Sequence, residues 1–346
     1  ELMRLQGGIF VRAGDIEDVI SQLDGAFLMD SQNYRQEKKK IIDEYQLSRT
    51  RQASLAGKAY PDDKDQLKGY IQSVLGAETK QSDPFQSKRV SALVAPHIDI
   101  DVGKDIYAKA YQVLRGDSPR KILLLGTGHN LSESYFSLTT KDFITPLGQV
   151  ETDKEEVERL KATSPLEFVA PHDIDHKNEH SLEFQILFLQ YLFGKNFLLM
   201  PVLCGSLHKE LQSVSQLGEI PGMSDFISHL RVYLGGKDES VLIVAGVDFS
   251  HIGPKFGHRE TAASLLLEAK EHDRILLDAL CRGDGAAFWA EAQKENNRYN
   301  VCGFSTLALL LELLPGSVGC VLGYDFWLEE ATQSAVSYAA LAFPSE

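Results

Sequence analysis

Residues able to hold a metal or move a proton stand at the ends of several short apolar runs. Ser91-Ala-Leu-Val-Ala95 leads into Pro96-His97, and Ile122-Leu-Leu-Leu-Gly126 leads into Thr127-Gly128-His129. Val241-Leu-Ile-Val-Ala245 leads into Gly246-Val247-Asp248-Phe249-Ser250-His251, and Cys302 stands before the apolar stretch Leu307 to Leu314. Imidazoles and thiolates are donors for Zn, Cu and Fe, and an imidazole near a carboxylate can serve as an oriented general base. Each station also has a plainer reading. His97 can be a structural hydrogen-bonding residue, and Gly126-Thr-Gly-His129-Asn130 a turn or an anion-holding loop. Asp248 and His251 can be an exposed loop pair, and Cys302 a small buried hydrophobe. Taken together, three imidazoles after buried runs and a thiol before another point to one shared site.

A second cluster competes with it. His172-Asp-Ile-Asp-His176-Lys-Asn-Glu-His180 spaces imidazoles at i, i+4 and i+8, which on a helix would share a face and could bind zinc or nickel. Pro171, the two aspartates and Asn178 favour a loop that runs into a helix capped near Asn178. On that reading only His180 is functional. No H-E-x-x-H, G-x-S-x-G, Walker A or G-x-G-x-x-G motif occurs.

The elements that must position these residues follow from the same runs. Four to six consecutive Val, Ile and Leu residues read as strands buried on both faces. Loops leaving the carboxyl ends of parallel strands gather at one edge of a sheet, where open α/β folds place their sites. Strands are predicted near 90–95, 121–126, 197–203, 240–246, 318–323 and 335–343, the last as an antiparallel member. Helices are predicted from Asp62-Asp63 through Leu75, and near 104–114, 153–162, 179–193, 208–218, 257–280, 284–295 and 304–314. This alternation gives an α/β fold with a mostly parallel or mixed central sheet flanked by helices. Helix 179–193 is apolar on all sides, so it packs within the body and holds Glu179-His180 at its amino end near the cleft.

Residues 1–52 read as an accessory segment, a hairpin plus a helix, ahead of a main domain over 53–346. Asp24-Gly25 between Val19-Ile20…Leu23 and Ala26-Phe-Leu-Met29 is the hairpin signal. Arg35-Gln-Glu-Lys-Lys-Lys40, with Ile41, Ile42 and Tyr45, reads as a surface helix whose lysines face water. A lid or a dimer contact is the role expected of the segment, which leaves a homo-oligomer open.

Composition narrows the partners. A formal net charge of -14 over 346 residues excludes binding nucleic acid by neutralising phosphates. No stretch approaches eighteen apolar residues, so no membrane span is expected. Cys204, Cys281, Cys302 and Cys320 form no C-x-x-C pair and no disulfide framework, which makes the cytoplasm the expected compartment. A small-molecule substrate or a peptide remains as the partner.

These residues resemble the Memo family, whose microbial members are often called AmmeMemoRadiSam system protein B. The resembling stretches are Ala53-Ser-Leu-Ala-Gly-Lys-Ala-Tyr-Pro61, Ala95-Pro-His97, Gly126-Thr-Gly-His129 and Glu179-His-Ser-Leu-Glu183. Asp248-Phe-Ser-His251, Cys302-Gly303 and Ser334-Ala-Val-Ser-Tyr-Ala-Ala340 complete the ordered set over residues 53 to 343. Memo proteins are similar in fold to class III extradiol ring-cleavage dioxygenases, which use non-haem Fe(II). The resemblance implies His97 and His129 as metal ligands, with Cys302 in the carboxylate's place. His251 would be the proton-transferring residue with Asp248 beside it, and Glu179, His180 and Asn130 would line the substrate cleft. Fe(II) is the expected metal, and the softer thiolate raises the claim of Cu or Zn. Ile98-Asp99, Asn130 and Phe304-Ser-Thr306 depart from the family pattern, altering the pocket wall while keeping the ligands. The expected function is a metal-dependent redox enzyme. A non-catalytic peptide or small-molecule binding module and a zinc-dependent hydrolase are the alternatives.

Overall fold

The computed structural model describes residues 13–76, 88–165, 167–235 and 241–345. The chain divides into two compact units, Glu1–Ser48 and Arg49–Glu346. In the first, helices α1 (Ala13–Gly25) and α2 (Gln32–Leu47) form, and Ser31 Oγ accepts the Tyr34 N–H to cap α2. The predicted hairpin is therefore corrected: Asp24-Gly25 ends a helix. Ile16, Val19, Ile20 and Leu23 lie at i, i+3, i+4 and i+7, a helical stripe that outweighs the dipeptide's turn signal. The chain reverses just beyond, where Phe27 takes φ 59°. The lysines of α2 face solvent, and Lys39 and Lys40 pair with Asp43 and Glu37.

The second unit begins with β1 (Thr50–Gln52), α3 (Lys64–Leu75), β2 (Val90–Ala95), α4 (Ile100–Gln112) and β3 (Lys121–Thr127). Then follow β4 (Phe136–Leu138), β5 (Asp142–Thr145), β6 (Gly148–Thr152), α5 (Lys154–Thr163), α6 (His180–Phe193) and β7 (Leu198–Cys204). The remainder comprises α7 (Met223–Leu234), β8 (Val241–Gly246), β9 (His251–Ile252), α8 (Ala262–Cys281), α9 (Gly285–Glu295), α10 (Phe304–Leu313), β10 (Cys320–Glu329) and β11 (Ser334–Pro344). Among the described residues these strands join one sheet in the order β1-β5-β6-β7-β3-β8-β2-β11-β10, with β4 beside β7 and β9 beside β11. Neighbours from β6 to β2 run parallel, whereas β11 is antiparallel to both β2 and β10. The fold is α/β with a mixed sheet between helical layers.

Side chains alternate across the sheet and feed two cores. Val94, Leu123, Leu125, Val202 and Ile243 pack with α5, α7, α9 and α10. Leu93, Leu124, Leu199, Leu203 and Val244 pack with α3, α4 and α6. Burial on both faces is why these strands read as unbroken apolar runs rather than as an alternating pattern.

Three element predictions change. Residues 208–218 form turns and a short 3₁₀ segment at Leu217–Glu219, and the helix lies at Met223–Leu234. Serines at 213 and 215 and Gly218 weaken the first stretch, whereas Met223, Phe226, Ile227 and Leu230 keep strict helical spacing. The helix predicted from 257 starts at Ala262, because Gly257 adopts φ +87° at the end of a turn. Strand β10 runs on to Glu329, well beyond the predicted 323.

Register places the site. Ala95 pairs with Gly246 and Gly246 with Gly126, so β2, β8 and β3 end level with one another. The residues just beyond those ends, His97, Asp248 and His129, therefore emerge at one edge of the sheet.

Candidate metal centre

His97 leaves β2 after Pro96 and is almost wholly buried, at 2% exposure. Its Nδ1 lies 3.0 Å from the Gly246 carbonyl, which can only accept, so Nδ1 carries the proton and Nε2 a lone pair. The His97 backbone N–H donates to Asp248 Oδ1 at 3.0 Å, locking the two strand ends together. His129, in the turn after β3, is the more accessible ring. Its Nδ1 lies 3.0 and 3.1 Å from the two Glu179 oxygens, and its own N–H donates to Glu179 Oε2 at 3.1 Å. That carboxylate fixes the Nδ1–H tautomer and again leaves Nε2 as the donor atom.

Glu179 caps α6, accepting the Ser181 N–H at 2.9 Å, and so belongs to the helix end rather than to a free loop. Cys302 reaches the same point from the start of α10. Its Sγ is 3.4 Å from His97 Nε2 and 3.5 Å from the Asp248 carbonyl. Gly303 makes this approach feasible: a Cβ there would sit 2.6 Å from Val247 Cβ and 2.8 Å from the Asp248 carbonyl oxygen.

Ligand atoms of His97, His129 and Cys302 all lie within 4.8 Å of one another, close enough for one ion. Those of His129, Glu179 and His180 satisfy the same limit. The His180 ring stacks on His129 at 4.7 Å between centroids and stands edge-on to His97 at 5.1 Å. Glu179 is already engaged with His129 Nδ1 and the helix end, so it suits the orienting role. The first set brings two Nε2 lone pairs and a sulfur together.

Burial and the mutual charges set the protonation of the cluster. Burial, reinforced by His129 and His180, holds the His97 imidazole well below its ordinary pKa and therefore neutral. Burial also pushes the Cys302 thiol well above its ordinary range, and the Asp248 charge adds to this. Burial opposes charge on His129, but the hydrogen bond and charge of Glu179 outweigh it and raise that ring. Glu179 itself is pushed up by burial yet held at about 2, because His129 and His180 favour its anion. A divalent cation would supply the positive charge that a buried thiolate needs.

Asp248 is buried, and desolvation lifts its pKa to about 7 against the N–H groups of His97 and Ile98. His251 follows on β9, where its Nδ1 lies 2.9 Å from the Phe249 carbonyl and so carries the proton. Desolvation lowers its pKa to about 4 against the backbone hydrogen bonds to Phe249 and Asn300, leaving a neutral ring. Asn130 is exposed, and its side chain makes no hydrogen bond among the described residues. His172 and His176 join neither ligand set; His176 is buried with Nε2 3.0 Å from the Ser137 carbonyl. Residues 172–180 are thus a loop with a short 3₁₀ turn running into α6, and only His180 of that cluster reaches the site.

Sequence reasoning missed the clamp behind α6. The Glu183 carboxylate, one turn from Glu179, accepts from Arg51 Nη1, Tyr60 OH, Ser54 Oγ and the N–H groups of Ser54 and Leu55. Arg51 also donates to the His176 and Glu179 carbonyls at 2.9 and 3.0 Å. The available signal was a carboxylate inside a helix whose residues are almost all apolar or uncharged and buried. On the opposite flank, Ser181 Oγ donates to the Thr127 carbonyl and Gln185 Nε2 to the Pro96 carbonyl, each at 2.9 Å. These bonds tie α6 to the ends of β3 and β2.

A profile of Memo-like proteins matches residues 51–342. The chain belongs to the Memo-like family. A MEMO1 family protein of Aquifex aeolicus is 29% identical, the alignment covering 99% of this chain and 87% of that protein. Another from Thermus thermophilus is 29% identical over 96% and 94% of the two chains. A third, from Methanopyrus kandleri, is 28% identical over 85% and 98%. Among solved structures, an uncharacterized Escherichia coli protein aligns with TM-score 0.41 and 13% identity, covering 73% of this chain and 99% of that one. The Memo-like match includes every residue of both ligand sets and of the Arg51–Glu183 clamp. Among the described residues no helix is long and apolar enough to cross a membrane.

Proposed function

We propose that this chain is a metal-dependent redox enzyme acting on a small chelating substrate, with His97, His129 and Cys302 as the ligands. The observation that carries this reading is the pairing of both Nδ1 atoms with fixed acceptors, Gly246 O and Glu179, so that both Nε2 atoms are presented beside Cys302 Sγ. Fe(II) or Cu in such a set offers positions where O₂ and a chelating substrate can meet. The chain's own residues do the rest. Gly246 and Glu179 orient the imidazoles. Asp248 fastens the His97 backbone and presents Oδ2 3.7 Å from His97 Nε2. His251, held neutral by burial, is the base that takes a hydroxyl proton from the substrate. His180 forms a wall against which a planar substrate packs.

Metal content after anaerobic purification tests the ligand set. Cys302→Ala is expected to weaken binding by well over the roughly 10–100-fold typical of an outer-shell change. Full occupancy in that variant would remove Cys302 from the set. His251→Ala should retain metal and lose O₂ consumption with a catechol-type substrate, and unchanged turnover would end the base assignment. Metal bound at full occupancy with no O₂ consumption by the wild type would favour a binding module instead.

A further inference from the structure

Outside the imidazole cluster, a buried polar group lies where α8 meets β11. Asp273 of α8 is fully buried. Its Oδ1 accepts from Ser250 Oγ at 2.7 Å, and its Oδ2 from Ser337 Oγ at 2.6 Å and Tyr324 OH at 2.8 Å. No cation pairs with it among the described residues, and the adjacent His272 is paired with Glu291 instead. A carboxylate buried without a counter-charge is costly, and apolar side chains would fill the same space without that cost. A fully hydrogen-bonded group of this kind specifies geometry rather than adding stability.

What the carboxylate holds is the loop that carries Asp248 and His251. Ser250, itself fully buried, is bound at its side chain and at both backbone groups. Its Oγ donates to Asp273, its N–H donates to Ser337 Oγ at 2.8 Å, and its carbonyl accepts the Ser337 N–H at 2.9 Å. Because the Ser337 hydroxyl proton is directed to Asp273, its lone pairs are left for the Ser250 N–H. The Phe249 N–H donates to the Ser337 carbonyl at 2.8 Å. To one side of Ser250, Asp248 takes the His97 N–H; to the other, His251 Nδ1 lies 2.9 Å from the Phe249 carbonyl. A displacement at Ser250 is therefore felt by both residues.

We propose that Asp273 is a positioning residue: acting through Ser250 and Ser337, it fixes where Asp248 and His251 stand at the edge of the sheet. This rests on the reading of His251 as the proton acceptor and adds to that site a group on α8 that acts from outside it. Tyr324 supplies an internal control, since it reaches the same carboxylate from β10 and bonds no residue of the loop.

The imidazole proton resonances of the metal-free full chain test the proposal, the His251 signal being identified by its absence from His251→Ala. Asp273→Asn places an amide N–H against a hydroxyl donor and should move that signal, as should Ser250→Ala. The double variant should move it by less than the sum of the two, because both changes break one link. Tyr324→Phe should leave the signal in place. Each variant should retain the wild-type far-UV circular dichroism, and where Asp273→Asn does not fold, Ser250→Ala against Tyr324→Phe decides. In O₂ consumption with a catechol-type substrate, Asp273→Asn should lower kcat by up to about 100-fold with KM unchanged, the pattern of a misplaced reacting group. A His251 signal unmoved by Asp273→Asn or Ser250→Ala, moved as far by Tyr324→Phe, or shifted additively in the double variant would overturn the proposal. An unchanged kcat in Asp273→Asn would do the same. A wild type that consumes no O₂, with the signals moving as stated, would end the redox reading and keep the positional one.

Discussion

Glu179 belongs to one of the two candidate ligand sets, yet its bonds suit it to orienting a neighbouring imidazole. It caps α6, receives the His129 backbone N–H and fixes the His129 ring, three tasks that all depend on an acceptor at both oxygens. Glu179→Gln would place an amide N–H against one of those donors. Metal affinity is expected to fall about 10–100-fold, as for outer-shell partners generally, with the fold retained. Competition with a chromophoric chelator measures this, and unchanged affinity would assign the carboxylate to the helix cap alone. The candidate ligand residues were legible because each sits beside a readable apolar run. Glu179's task was not, since the carboxylate and ring it joins are 50 residues apart and nothing local marks the pairing.

At the scale of the element, α6 carries Glu179 and His180 and depends on a buried ion pair one turn further on. Arg51 and Glu183 are both about 1% exposed, and four other donors converge on the same carboxylate. Glu183→Gln leaves the guanidinium buried without its counter-charge, a change expected to cost about 3–5 kcal/mol in urea unfolding. The pH dependence has a definite sign. Burial raises the Glu183 pKa, but Arg51, Tyr60 and the backbone donors outweigh it and hold it below the ordinary 4.5. The folded state therefore favours the anion, and this contribution is complete above about pH 4.5 and lost as pH falls through the folded value. The stability gap between wild type and Glu183→Gln should accordingly narrow in acid; a gap constant from pH 7 to pH 3 would contradict it. The apolar surface of α6 was plain in the sequence, whereas Arg51 is 132 residues away and looked like an unremarkable basic residue. The misplaced helix at 208–218 has a local cause: its leucines have workable spacing, and only the intervening serines and glycine argue against it.

Across the whole molecule, the level ends of β2, β8 and β3 and the start of α10 assemble a site from residues as far as 205 positions apart. Gly246 lies at the junction, for a Cβ there would collide with the Ser181 carbonyl and come within 2.8 Å of Gln185 Nε2. Gly246→Ala should cost about 1–3 kcal/mol as an overpacked contact. By pushing the start of α6 off the sheet edge it should also lower metal occupancy, which stability and metal content measured on one preparation would test. Stability lost with occupancy unchanged would uncouple the helix from the centre. The parallel core was legible because burial on both faces leaves unbroken Val, Ile and Leu runs. The short strands β1, β4, β5, β6 and β9 were not, because each has too few residues to establish a period and exists through its neighbour.

Accessibility around the centre is lopsided. His97 and Asp248 are sealed at 2% exposure, whereas the His129 and His180 side chains stand open by about a third, at 34% and 36%. An ion held there would be reached most openly past those two stacked rings, so a compact bidentate chelator is expected to strip it faster than a bulky one of equal affinity.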